Sequence, residues 1–132
     1  MMRPLVPGVF VAGQIHADDM EDAVAQGVSR IVNNRPDHEE LGQPTSATIE
    51  AAARAAGLDY VYAPARGLPD ASVVATVESA LADGASVLLF CKSGMRSAAA
   101  WALASSRSGT LSRQEILTAT AGAGFDLSGL PI

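Results

Sequence analysis

Short apolar runs alternate along this chain with longer segments of helix-like composition. GVFVAGQI (8–15) reads as a strand. Ala17–Gln26 follows as a helix, with Asp18 as its cap, acidic residues crowding its first turn and Gly27 as its stop. SRIVN (29–33) is an apolar run suited to a buried strand, and NRPDHEELGQPT (34–45) is a polar loop punctuated by Pro and Gly. Loops of that length in compact domains usually carry function. The Ala-rich stretch Ser46–Ala56 predicts a helix stopped by Gly57, and DYVYA (59–63) predicts a strand. Asp70 caps a helix to about Ala82. SVLLF (86–90), apolar throughout, predicts a strand buried on both faces. Arg96–Ser105 reads as a helix, and Ser112 with Glu115 forms the capping box of another; the tail from Gly122 reads as irregular.

Strands separated by helices through short connections predict one α/β domain over residues 1–132. Its sheet of four to five mostly parallel strands carries helices on both faces. Ligands of such sheets sit at the carboxyl ends of the strands. Cys91 lies immediately past the end of the most apolar strand.

Composition narrows the chemistry. Nine basic against fourteen acidic residues give a net charge of −5, which argues against a nucleic-acid or anionic-membrane surface. No apolar run reaches the length of about eighteen residues that spans a membrane. The opening segment is broken by Pro4, Pro7 and Gly8, so it reads as mature protein rather than a leader. A lone cysteine forms no internal disulfide, and with it the cytoplasm is the expected compartment. His16 and His38 are too few and too far apart for a metal site, so neither metal nor organic cofactor is implied.

The sharpest pattern is VLLFCKSGMRSAAAWAL (87–103). A strand delivers Cys91, Lys92-Ser93-Gly94-Met95 turn the chain, and Arg96 and Ser97 open a helix. Successive backbone N–H groups in such a turn, joined by those of the helix start, make a nest for an anion. Gly94 admits a backbone conformation closed to other residues. The partial positive charge of the nest, with Lys92, favours the thiolate of Cys91. Arg96 supplies a planar fork for the oxygens of a bound group, and Ser93 and Ser97 supply hydroxyls for the thiolate or a leaving group. The competing reading, a buried structural cysteine, leaves the Lys, Gly, Arg and two Ser that follow unexplained.

Together with VAGQI (11–15) and GVSRIVNNRPDHEELGQP (27–44), this segment resembles a family of phosphatase-like or sulfurtransferase-like proteins. That family is related to the extra domain of the β-lactamase-hydrolase-like proteins. The resemblance implies a fold like that of dual-specificity phosphatases. It also implies that the loop carrying Arg35, Asp37, Glu40 and Gln43 faces the cysteine. Protein tyrosine phosphatases resemble H-C-x5-R-S/T, whereas rhodanese-type sulfurtransferases often carry C-R-S-G-x-R-S. Here C-K-S-G-M-R-S places four residues between Cys91 and Arg96, and Phe90 stands where the phosphatase His would be. A shorter ring of amides holds one added sulfur more readily than a phosphoryl group with three equatorial oxygens.

The sequence therefore favours a cysteine-dependent sulfurtransferase working through a Cys91 persulfide. The alternative is a phosphatase-like hydrolase working through a cysteinyl-phosphate, and a third reading is a non-catalytic anion-binding module. The substrate is a small sulfur-containing or phosphate-bearing anion. Arg35 is placed near the site as an anion ligand, a surface salt bridge to Glu39 or Glu40 being the competing role. Glu40 and Gln43 would orient Arg35 or Arg96. Asp37 and Asp70 are the candidate acids, against an Asx turn for the first and a helix cap for the second. Arg66 adds charge at the mouth, Gly13-Gln14 makes a turn near it, and Trp101 anchors the core.

Overall fold

The computed structural model describes residues 1–132 as a five-stranded sheet with helices on both faces. The elements are β1 (Arg3–Val6), β2 (Val9–Ala12), α1 (Met20–Ala25, entered through a 3-10 turn at Ala17–Asp19), β3 (Arg30–Asn33) and α2 (Ser46–Ala55). They continue with β4 (Asp59–Tyr62), α3 (Ala71–Leu81), β5 (Val87–Phe90), α4 (Met95–Ser108) and α5 (Arg113–Gly122). The strand order is β1-β2-β5-β3-β4; β1 runs antiparallel to β2, and every other pair is parallel.

β5 is the central strand because its sequence can be covered on both sides. Leu88 and Phe90 pack with Ile31, Met20, Ile49 and Ala53 under α1 and α2. Val87 and Leu89 face the other way, packing with Val32 of β3 and with Val74, Val77 and Ala100 of α3 and α4. None of these four β5 side chains has any exposed surface. Burial of each large apolar side chain contributes roughly 1.5–3 kcal/mol. Trp101 anchors a third cluster with Val11, Ile116 and Phe125, joining α4 to α5 and the C-terminal segment.

Several element boundaries differ from the sequence-based expectation. The segment before Gly8 forms β1, although Pro4 and Pro7 read as interruptions. An edge strand tolerates proline because its outer N–H groups need no ladder partner, and the register shifts between Pro4 and Val6. β2 ends at Ala12, and the chain bends at Gly13 and Gln14 rather than continuing as strand to Ile15. The first helical segment is fastened by Asp19, whose carboxylate accepts the His16 N–H at 2.8 Å, rather than by Asp18. α4 runs three residues beyond Ser105, to Ser108, and Gly109 at φ 73° closes it. The tail past Gly122 lies outside the regular elements but buries Phe125 and Leu127. Asp70 caps α3 by accepting the Val73 N–H at 3.0 Å. No helix is long and apolar enough to cross a membrane.

Candidate active site

β5 ends between its two parallel neighbours, so three strand ends meet at one place. β5 delivers Cys91, β2 delivers Gly13 and Gln14, and β3 delivers Asn34 and Arg35. Backbone bonds tie them together: Cys91 N–H donates to Ala12 O at 3.4 Å, Gln14 N–H to Lys92 O at 3.2 Å, and Asn34 N–H to Phe90 O at 2.8 Å. Gly13 sits so close to the cysteine loop that a Cβ there would stand 3.0 Å from the Lys92 carbonyl oxygen.

The loop itself curls around sulfur. Gly94, at φ 99°, starts α4 and donates its N–H to Cys91 Sγ at 3.1 Å. Cys91 is wholly buried. Arg96 lies within reach of that sulfur, which together with Glu39, the larger influence, raises the guanidinium's basicity. Lys92 is exposed at the rim, 2.8 Å from Glu40. A hollow of about 540 Å³ beside Pro7, Leu81 and Trp101 lies at the opposite, amino end of the sheet. Its lining includes Glu78, Ser105, Ser108 and Thr110 but not the cysteine.

Arg96 is held from two sides. Its Nη1 donates to Glu39 Oε2 at 2.7 Å and to Ala65 O at 2.6 Å, and its Nη2 donates to Glu39 Oε1 at 3.0 Å. Glu39 in turn accepts from Arg35 Nε at 3.0 Å. Sandwiched between two guanidinium groups, Glu39 is held ionised below its ordinary range, chiefly by Arg96 and then by Arg35.

Arg35 departs from its expected role. It is 5% exposed, and its fork is occupied by Glu39, by Glu40 at 2.8 Å and by Gln14 Oε1 at 3.0 Å. The salt bridges to Glu39 and Glu40 that stood as its competing role are both present, with the guanidinium itself buried, so its fork is occupied rather than open to an incoming anion. Gln43 does not touch Arg35 or Arg96. Its Oε1 accepts the N–H groups of Glu39 and Glu40, and its Nε2 donates to Pro36 O, which fixes the backbone of the turn that carries both glutamates. Glu40 bonds Arg35 and Lys92.

The serines also differ from expectation. Ser97 Oγ donates to Asn34 Oδ1 at 2.8 Å rather than to sulfur. Ser93 Oγ accepts the Met95 N–H at 3.3 Å, within the turn. Met95 is exposed beside Arg96, and Arg66 is exposed on the loop whose Ala65 carbonyl holds Arg96. Asp37 makes no Asx turn: its Oδ1 accepts the Ser46 N–H at 2.7 Å, at the start of α2. Both candidate acids are thus fastened to helix starts.

Sequence reasoning left Glu39 out of the site, giving it only as a surface partner of Arg35. Its one signal was position, inside a turn bounded by Pro36 and Gly42. Asn34, the Ala65 carbonyl and Phe125, whose ring crowds Gly94, carried no signal of their own.

Comparison with known proteins agrees with this architecture. The beta-lactamase hydrolase-like protein of Xylella fastidiosa is 35% identical over 119 residues, which is 89% of this chain and 28% of that protein. The chain therefore spans under a third of the length of that curated relative. A crystal structure from Neisseria meningitidis, described as a presumptive phosphatase, superposes with a TM-score of 0.77 at 28% identity, covering 95% of this chain and 89% of that one. PTPMT1, solved in complex with PI(5)P, superposes with a TM-score of 0.72 at 18% identity, covering 91% and 81%; that likeness concerns the fold alone. The family model described as "Beta-lactamase hydrolase-like protein, phosphatase-like domain" matches residues 1–110, from β1 through the cysteine loop to the end of α4. With the cysteine cradle lying inside the matched region, the chain belongs to the phosphatase-like domain family of the beta-lactamase hydrolase-like proteins.

Proposed function

We propose that this chain is a cysteine-dependent, phosphatase-like hydrolase of small phosphate-bearing anions, with Cys91 as nucleophile and Arg96 as the clamp. The observation that carries the reading is Cys91 Sγ in the turn after β5, 3.1 Å from the Gly94 nitrogen and close enough to Arg96 to raise its basicity, in a phosphatase-like fold. The thiolate attacks phosphorus, the P–O bond breaks, and its electron pair leaves on the ester oxygen. Water then hydrolyses the cysteinyl-phosphate. The bound PI(5)P of PTPMT1 supports a phosphate-bearing substrate for this fold. The family and the fold neighbours support this chemistry over the sulfur transfer that loop length favours.

Sulfur transfer stands as the second reading on one specific observation. Each carboxyl group considered as a proton donor is engaged: Asp37 and Asp70 accept from helix N–H groups, and cations hold Glu39 and Glu40 ionised. An alkoxide leaving group needs a proton donor, whereas a thiolate leaves without one. The four-residue spacing between Cys91 and Arg96 favours the same reading.

The test compares wild type with Cys91→Ser in two assays, release of phosphate from an aryl phosphate and sulfur transfer from thiosulfate or glutathione persulfide. Phosphate release that disappears in Cys91→Ser supports the hydrolase. Cysteine-dependent persulfide formation with negligible phosphate release replaces it with sulfur transfer. Silence in both assays leaves an anion-binding module.

A further inference from the structure

The protein itself neutralises most of the positive charge that its cysteine cradle assembles. Arg35, Lys92 and Arg96 converge there, and each is paired with Glu39 or Glu40: Arg96–Glu39 at 2.7 Å, Arg35–Glu39 at 3.0 Å, Arg35–Glu40 at 2.8 Å and Lys92–Glu40 at 2.8 Å. Both carboxylates stay ionised. Arg96 foremost holds Glu39 below its ordinary range, and Lys92 foremost does the same for Glu40. Three cations against two anions leave one positive charge in the cluster, which a nucleophilic thiolate at Cys91 would balance. The arrangement is built rather than incidental: Gln43 binds the backbone of both glutamates, and His38 adopts φ 64° in the same turn.

We infer that Glu39 and Glu40 are specificity-determining residues that set the charge of the group the cradle accepts, selecting a reacting group with at most one negative charge against dianions. The inference rests on the reading of Cys91 and Arg96 as the anion site, and it deepens that reading by naming the substrate class. A phosphate monoester brings two charges into a balanced cluster, and the cysteinyl-phosphate keeps both where the thiolate had one. A phosphoryl group that is singly charged, as in a diester, brings one. A hydropersulfide R–S–SH brings none: Cys91 sulfur bonds the outer sulfur, the S–S bond breaks, and its electron pair leaves as R–S⁻. Coulomb energy scales with the product of charges. Removing one carboxylate charge therefore helps a dianion twice as much, in free energy, as it helps a monoanion.

Sulfate and methyl sulfate provide the test, since they share a tetrahedral shape and differ by one charge. Their affinities are measured by calorimetry at fixed ionic strength for wild type, Glu40→Gln, Glu39→Gln and Arg96→Ala. Glu40→Gln is the decisive variant, because Glu40 is half exposed and does not touch Arg96. We expect it to gain about fivefold in sulfate affinity and about twofold for methyl sulfate, the scale of an exposed ion pair. Equal gains for the two anions, or no gain, overturn the specificity role while leaving the site intact. Binding that is unchanged in Arg96→Ala overturns the site itself, and the inference with it.

Discussion

Ser97 donates its hydroxyl hydrogen to Asn34 Oδ1 across 2.8 Å, and neither residue has any exposed surface. Asn34 completes the clasp by donating from Nδ2 to Ala63 O at 2.8 Å. The first turn of α4 is thereby fastened to the ends of β3 and β4, directly behind the cysteine loop. A hydroxyl expected to serve sulfur serves the frame that holds the loop in place.

Replacing Ser97 with Ala strands the Asn34 side-chain oxygen in a dry interior. A buried acceptor left unpaired costs about 1–3 kcal/mol. Urea denaturation should show a lowered midpoint of that size with an unchanged slope. A Ser97→Ala protein as stable as wild type would mean that the clasp contributes nothing net.

Arg35→Met removes the buried cation that gathers Glu39, Glu40 and Gln14. The expected loss of stability is about 1–3 kcal/mol, below that of a fully enclosed ion pair because half of Glu40 is in solvent. Catalysis should fall mainly through kcat, since Arg35 holds Arg96 only through Glu39. A change confined to KM would instead make Arg35 a substrate ligand.

Gly94→Ala meets two obstacles at once. The residue sits at φ 99°, and a Cβ there would lie 3.0 Å from the Phe125 ring and 3.4 Å from Ala12 O. Left-handed strain alone costs about 1–2 kcal/mol for a residue with a Cβ. The variant should fold with a reduced melting temperature and lose most of its Cys91-dependent turnover. Adding Phe125→Leu should recover part of the stability but not the strain at φ.

Acid should weaken the fold through Arg30 and Asp83. Arg30 Nη1 and Nη2 donate to the two oxygens of Asp83, each at 2.9 Å, and this pairing holds the Asp83 carboxyl down at about 2, against an ordinary 3.8. A depressed carboxylate contributes stability that is complete above its ordinary value and drains away as pH falls through the folded one. The loss belongs to the window from about 3.8 to about 2. Glu39 adds in the same direction below its ordinary 4.5. Stability measured between pH 5 and pH 2 should fall less steeply in Asp83→Asn than in wild type.

Much of the site was legible because its chemistry is local. The turn after β5, the left-handed Gly94 and the four residues separating Cys91 from Arg96 are fixed by a few consecutive dihedral preferences, as are the Asp70 and Ser112 caps. The apolar run of β5 could be placed at the centre of the sheet for a similar reason, since no edge or one-sided strand tolerates four buried residues in a row.

Partnerships between distant segments were not legible. Glu39 and Arg96 stand 57 residues apart, and they meet only because β3 lies beside β5 in the sheet. The same neighbour relation buries Arg35 and diverts Ser97 to Asn34. The sequence by itself determined most of the elements and the turn that holds Cys91, because backbone preference and apolar patterning act over a few residues. Tertiary structure alone decided which charges answer one another across the cradle, because Coulomb and hydrogen-bond partners are chosen by distance in space.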